Sequence, residues 1–194
     1  KGERWVDLVA VLGRKAGVVE TPEARVAALK KQGLTQHERL GATQDAVETF
    51  RQVRAVDAAD VDALRTLDRF YGAMEDWVNQ YETLDQMQHL VEGEERVTVR
   101  FRMGRLLEKE LADGPKAIDI YASLIQEYPD NQEAVDPLEG MVRNDESAEA
   151  AFRVLEPTLS ARVEWARLFV IYELLASREG DVGRKVRYLL TMGG

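Results

Sequence analysis

Side chains able to do chemistry are plentiful in this sequence, yet their spacing favours charge placement over catalysis. Carboxylates come in groups: Asp57, Asp60 and Asp62, then Glu94 with Glu95, then Asp145 with Glu146. General acid–base work needs carboxylates that converge in a cleft with their pKa values driven apart. These groups fall instead at predicted helix starts, where the positive end of the helix dipole holds an acid. Asp57, Asp60 and Asp62 faintly resemble a calcium loop, but the glycine turn and the distal bidentate Glu are missing. Two histidines, His37 and His89, lie far apart and there are no cysteines. Neither a zinc site nor a disulfide is therefore expected. No Ser-His-Asp or Cys-His spacing has a strand–turn–helix to hold it, and Gly13 and Gly17 match no phosphate loop. The expectation is a chain with no catalytic residue, no cofactor and no metal.

One pattern points outward, and it is basic. Arg102, Arg105 and Lys109 recur at i, i+3 and i+7 of a predicted helix, on one face, with Arg96 and Arg100 in the turns before them. The whole chain carries a net charge of -9, from 35 acidic and 26 basic residues. Against that background a cationic stripe suits an acidic segment of a partner protein. Salt bridging to Glu94, Glu95, Glu108 or Glu110, or simple solvation, is the alternative reading. These five residues are the candidate partner-binding site. The acidic balance argues against a general binder of nucleic-acid backbones, which needs a basic surface to release counterions. No apolar run approaches the roughly 20 residues of a membrane span, and KGERWVDLV lacks the pattern of a signal peptide.

The elements that must position these residues are helices. With 45% hydrophobic and 31% charged residues among 194, the chain can bury a core. Apolar residues recur with helical spacing: Ala117, Ile118, Tyr121, Leu124 and Ile125, and likewise Ala46, Val47, Phe50 and Val53. Turn chemistry separates the runs. Thr21-Pro22 places a cap before a first-turn proline, and Asp113-Gly114-Pro115 and Tyr128-Pro129-Asp130-Asn131 stop one helix and start the next. The reading is about eleven helices, over 3–16, 22–40, 43–56, 60–73, 75–91, 94–112, 115–128, 131–143, 146–158, 161–178 and 181–191. Short connections predict antiparallel neighbours. Trp5, Trp77 and Trp165 each open a helix and are expected to act as wedges between hairpins.

An internal repeat underlies the pattern. The stretch from Gly41 aligns without gaps on the stretch from Ala112, an offset of 71 residues. Ala46 then falls on Ala117, Val47 on Ile118, Phe50 on Tyr121, Val53 on Leu124 and Ala63 on Ala134. Half of that offset is close to the tetratricopeptide period of about 34. Ala117, Tyr121, Leu124 and Pro129 match the second helix of a tetratricopeptide repeat at every step. Ala46, Phe50 and Val53 match it with Ala58 where the proline belongs, and Ala148, Phe152 and Leu155 match it a third time. The first helices mostly lack the Trp-x2-Leu-Gly pattern; Trp165-x2-Leu168-x3-Tyr172 keeps its spacing with Phe169 in place of the glycine. The chain thus resembles the degenerate tetratricopeptide arrays common in bacterial proteins. That resemblance implies an all-α, right-handed solenoid of antiparallel hairpins. It implies a non-catalytic scaffold that binds a partner protein or peptide, or alternatively a structural spacer subunit of a large assembly. Residues 1–194 are expected to form one solenoid segment of a longer repeat protein, since both ends run directly into helical patterns.

Overall fold

The computed structural model describes residues 2–144, 147–180, 186, 190 and 191. The described residues contain ten named helices and no strand. They fall into two compact units, one through Val99 and the other from Arg100 onward.

In the first unit α1 (Gly2–Val18), α2 (Pro22–Leu40), α3 (Thr43–Val56), α4 (Val61–Ala73) and α5 (Trp77–Gln88) follow in order, and each packs on the next. Their starts are set by side-chain caps. Thr21 Oγ1 accepts from the Ala24 N–H at 3.2 Å, with Pro22 supplying the first helical residue. Asp60 Oδ1 accepts from the Ala63 N–H at 2.9 Å, and Asp76 from Asn79. Each cap fills one of the amide donors that a helix leaves unpaired at its start. Two of the acids read as dipole partners also form ion pairs: Asp60 meets Lys30 at 2.7 Å, and Asp62 meets Arg65 at 2.8 Å. The core gathers Ala46, Val47, Phe50, Val53, Leu67 and Phe70. The Phe50 and Phe70 rings meet edge to face at 5.8 Å, and His37 lies against Phe70 with its Nδ1 on Thr43 Oγ1 at 3.1 Å. His37 is thus a packing residue.

Helix α6 (Gly93–Lys109) contains the division between the units. Beyond it come α7 (Gly114–Glu127), α8 (Val135–Asn144), α9 (Ala148–Ala161) and α10 (Trp165–Arg178). Helix α9 runs through Pro157 to Ala161, three residues past its predicted end. Arg162 sets the next turn by donating to Gln132 Oε1 at 2.8 Å and to the Asn131 carbonyl at 3.1 Å. The predicted eleventh helix, 181–191, and the pair Asp145 and Glu146 lie mostly or wholly outside the described residues.

The 71-residue repeat is physical. Phe50 and Tyr121 are both buried, as are Ala46 with Ala117 and Val53 with Leu124. The same offset links two glycines, Gly33 and Gly104, and each lies against the aromatic of its own repeat. A Cβ on Gly33 would lie 2.7 Å from Phe50 Cε2, and one on Gly104 would lie 2.6 Å from Tyr121 Cε1. Only a missing side chain lets these helices approach so closely. The helix ends correspond as well. Gly41 (φ 66) and Ala112 (φ 51) both take the left-handed conformation. Their successors close the same bond: the Ala42 N–H donates to Gln36 at 2.9 Å, and the Asp113 N–H to Leu107 at 2.8 Å. The tryptophans divide. Trp5 and Trp77 are half-buried, but Trp165 is 57% exposed and is no wedge.

Candidate partner-binding site

Helix α6 carries the five predicted residues. Glu94 and Glu95 sit in its first turn and Lys109 in its last, the order the helix dipole favours. Its buried face is Val99, Met103 and Leu107, at i, i+4 and i+8. That face fixes where the basic residues go.

Arg105 and Lys109 come together, and what joins them is Glu108. Lys109 Nζ lies 2.5 Å from Glu108 Oε1, and Arg105 Nη1 lies 3.8 Å from Oε2. The Glu108 carboxylate is largely buried, with its side chain 8% exposed, while about half of each cation stays in solvent. On its inner side Glu108 accepts from the Tyr121 hydroxyl at 3.0 Å. Burial, reinforced by that neighbouring carboxylate, pushes the Tyr121 hydroxyl well above its ordinary pKa, so the ring donates as a neutral phenol. The layers therefore run from a buried ring through a buried anion to two outward cations. Arg102, one turn earlier, is half-buried.

One of the five residues has an inward duty. Arg100, only 12% exposed in its side chain, pairs through Nη1 with Glu127 and donates from Nη2 to Ser123 Oγ at 2.6 Å. It ties α6 to α7. Arg96 belongs to the first unit, and its Nε is buried without an acceptor among the described residues. The two of the five whose side chains are shown to stand in solvent are thus Arg105 and Lys109. Sequence reasoning placed Glu108 only among several alternative partners and passed over Gly104. The 71-residue offset was the signal that would have found Gly104, since it falls on Gly33.

Comparison with known proteins gives the repeat its name. Residues 98–131, which hold this outward site and the whole of α7, match the family model of the tetratricopeptide repeat. The chain carries a tetratricopeptide repeat. A crystal structure of a protein from Podosopora anserina, described as a kinesin light chain with nearly identical TPR-like repeats, superposes with a TM-score of 0.52 at 15% identity. It covers 92% of this chain and 89% of that one, and it shows that the tetratricopeptide fold extends along the sequence. A crystal structure of MamA is also similar, with a TM-score of 0.49, 18% identity and coverage of 73% and 81%. No relative among curated proteins matches the sequence.

Proposed function

We propose that this chain is a non-catalytic scaffold that holds a partner protein or peptide, and that Arg102, Arg105 and Lys109 meet an acidic segment of that partner. The observation that carries this reading is the tetratricopeptide fold, a form generally used for protein–protein contact. The layering at Glu108 supports the choice of surface. Because the anion is buried and already accepts from Tyr121, the outer hydrogen-bond capacity of Arg105 and Lys109 remains available to a partner. Exposed cations on a rigid helix act mainly by steering, raising the association rate more than the lifetime of the complex.

The test reverses Arg102, Arg105 and Lys109 to Glu and measures binding of the partner recovered with the full-length chain, at two salt concentrations. Binding by the unaltered chain should weaken with salt, since the screening length falls from about 10 Å at 0.1 M to about 3 Å at 1 M. The reversed variant should bind more slowly at low salt. A Gln version of the three guards against repulsion of Glu108, and both variants must keep their helicity. Unchanged low-salt affinity removes the stripe from the reading.

A second reading, a structural spacer within a larger assembly, is favoured by apolar surface at α10 and the turn before it. Val163, Trp165, Phe169 and Val170 are all exposed there, the kind of patch that neighbours in an assembly cover. Its mark is association that survives reversal of the stripe.

A further inference from the structure

We propose that the pocket between α9 and α10 takes an arginine side chain of a partner protein. The pocket encloses about 410 Å³ and lies wholly in the second unit. The proposal rests on the reading of the exposed α10 surface as a contact face, and it names the chemistry of what covers that face.

Helical spacing builds the pocket. Trp165, Leu168, Phe169 and Tyr172 fall at i, i+3, i+4 and i+7 of α10, and Glu156 and Ser160 at i and i+4 of α9, so each set shares one face. Leu168 and Tyr172 are buried, whereas Trp165 is 57% exposed and Phe169 44%. The Tyr172 ring is held edge to face on Phe152 at 5.3 Å, and its hydroxyl donates to Glu156 Oε1.

Glu156 is the reason to look there. The second unit holds the same pairing twice, a buried tyrosine donating to a carboxylate: Tyr121 to Glu108 and Tyr172 to Glu156. Glu108 is also met by Lys109 and Arg105. Glu156, half-buried, is met by no cation among the described residues. The arginines of its own two helices are spent elsewhere: Arg153 on Glu149 at 2.7 Å, Arg167 on Glu139 at 2.7 Å, and Arg178 on the Val142 carbonyl at 3.2 Å. Where Glu108 has two cations, Glu156 has an open pocket walled by two exposed aromatic rings.

The occupant must therefore bring a positive charge. An apolar partner laid over α10 would bury the Glu156 carboxylate unpaired, which is costly. Aromatic faces attract a cation within about 6 Å of the ring centroid. Of the basic side chains arginine fits best. Its planar guanidinium can stack on Trp165 or Phe169 while donating to the carboxylate oxygen that Tyr172 does not use; the lysine ammonium is more strongly hydrated and has no plane to stack.

The experiment follows the indole N–H resonances of the intact chain by nuclear magnetic resonance while a capped Ala-Ala-Arg-Ala-Ala peptide is added. The same peptide with citrulline, a neutral isostere of arginine, and with lysine are the comparisons at matched ionic strength. The Trp165 signal should move and saturate with the arginine peptide, less with lysine and hardly at all with citrulline, while the Trp5 and Trp77 signals stay in place. Glu156→Gln keeps an acceptor for Tyr172 and should weaken arginine binding about tenfold, the effect of losing one charge-assisted hydrogen bond. An unmoved Trp165 signal, an equal response to citrulline, lysine binding as tight as arginine, or a helical Glu156→Gln variant that binds as before would each overturn the proposal. If the Trp165 signal stays silent while the full-length chain still captures its partner, the pocket falls and the scaffold reading stands.

Discussion

Giving Gly104 a single methyl group should destabilise the second unit, although alanine is the better helix former. A Cβ there would lie 2.6 Å from Tyr121 Cε1, 2.9 Å from Cζ and 3.2 Å from Cδ1. Carbon atoms rest about 3.5–4.0 Å apart, so the ring would have to retreat by roughly an ångström. It has little room to do so. Tyr121 is fully buried, its hydroxyl is bound to Glu108, and Phe101 packs beside it at 6.0 Å. Ala favours the helix over Gly by about 0.8–1 kcal/mol. Overpacking costs about 1–3 kcal/mol, and losing a hydrogen bond to a charged group about 1.5–3 kcal/mol. The steric side wins, and Gly104→Ala should lose about 1–3 kcal/mol in urea unfolding followed by far-ultraviolet circular dichroism. The companion Gly33→Ala meets Phe50, a ring with no hydroxyl anchor, and should lose less. In a Tyr121→Leu background the penalty of Gly104→Ala should vanish, because the two residues are coupled only through that contact. A Gly104→Ala variant as stable as the parent, or an undiminished penalty in the Tyr121→Leu background, would refute the reasoning.

Two further outcomes follow from the same region. Ala112 holds a left-handed φ of 51 where the other repeat has Gly41, so Ala112→Gly should stabilise by about 0.5–1 kcal/mol, read as a higher urea midpoint. The Tyr121 hydroxyl is raised above its ordinary value of 10.0 by burial and then by Glu108. The fold therefore keeps a proton that the unfolded chain releases. This contribution is intact below about pH 10 and is lost as the pH rises further, and Tyr121→Phe should flatten the alkaline loss of stability.

Much of the architecture was legible because helical hairpins are written locally. The period of Ala46, Phe50 and Val53, the Thr21-Pro22 cap and the Asp113-Gly114-Pro115 break are short-range signals, and the helices began and ended within a few residues of them. The repeat was legible because it was compared with itself. The two glycine contacts escaped because nothing in the neighbourhood of Gly33 or Gly104 announces a ring that lies 17 residues further along. Trp165 was misjudged for a related reason. A tryptophan at a helix start reads as a core wedge until the neighbouring helices show which side of it is left open.

The candidate surfaces divide along the same line. Spacing alone placed Arg102, Arg105 and Lys109 on one face, since helical geometry fixes that without reference to any other element. Spacing could not say that Glu108 would turn inward to Tyr121 and leave the two cations above it, or that Arg100 would be spent on Glu127. Nor did it show that the Nε and Nη1 of Arg54 would be buried without an acceptor among the described residues. Sequence determined the helices, their order and their repeat, because those depend on residues a few positions apart. Only tertiary structure decided which charges are paired, which donors are left unfilled and which glycines are filled by a neighbour's ring, because each depends on atoms brought together from distant helices.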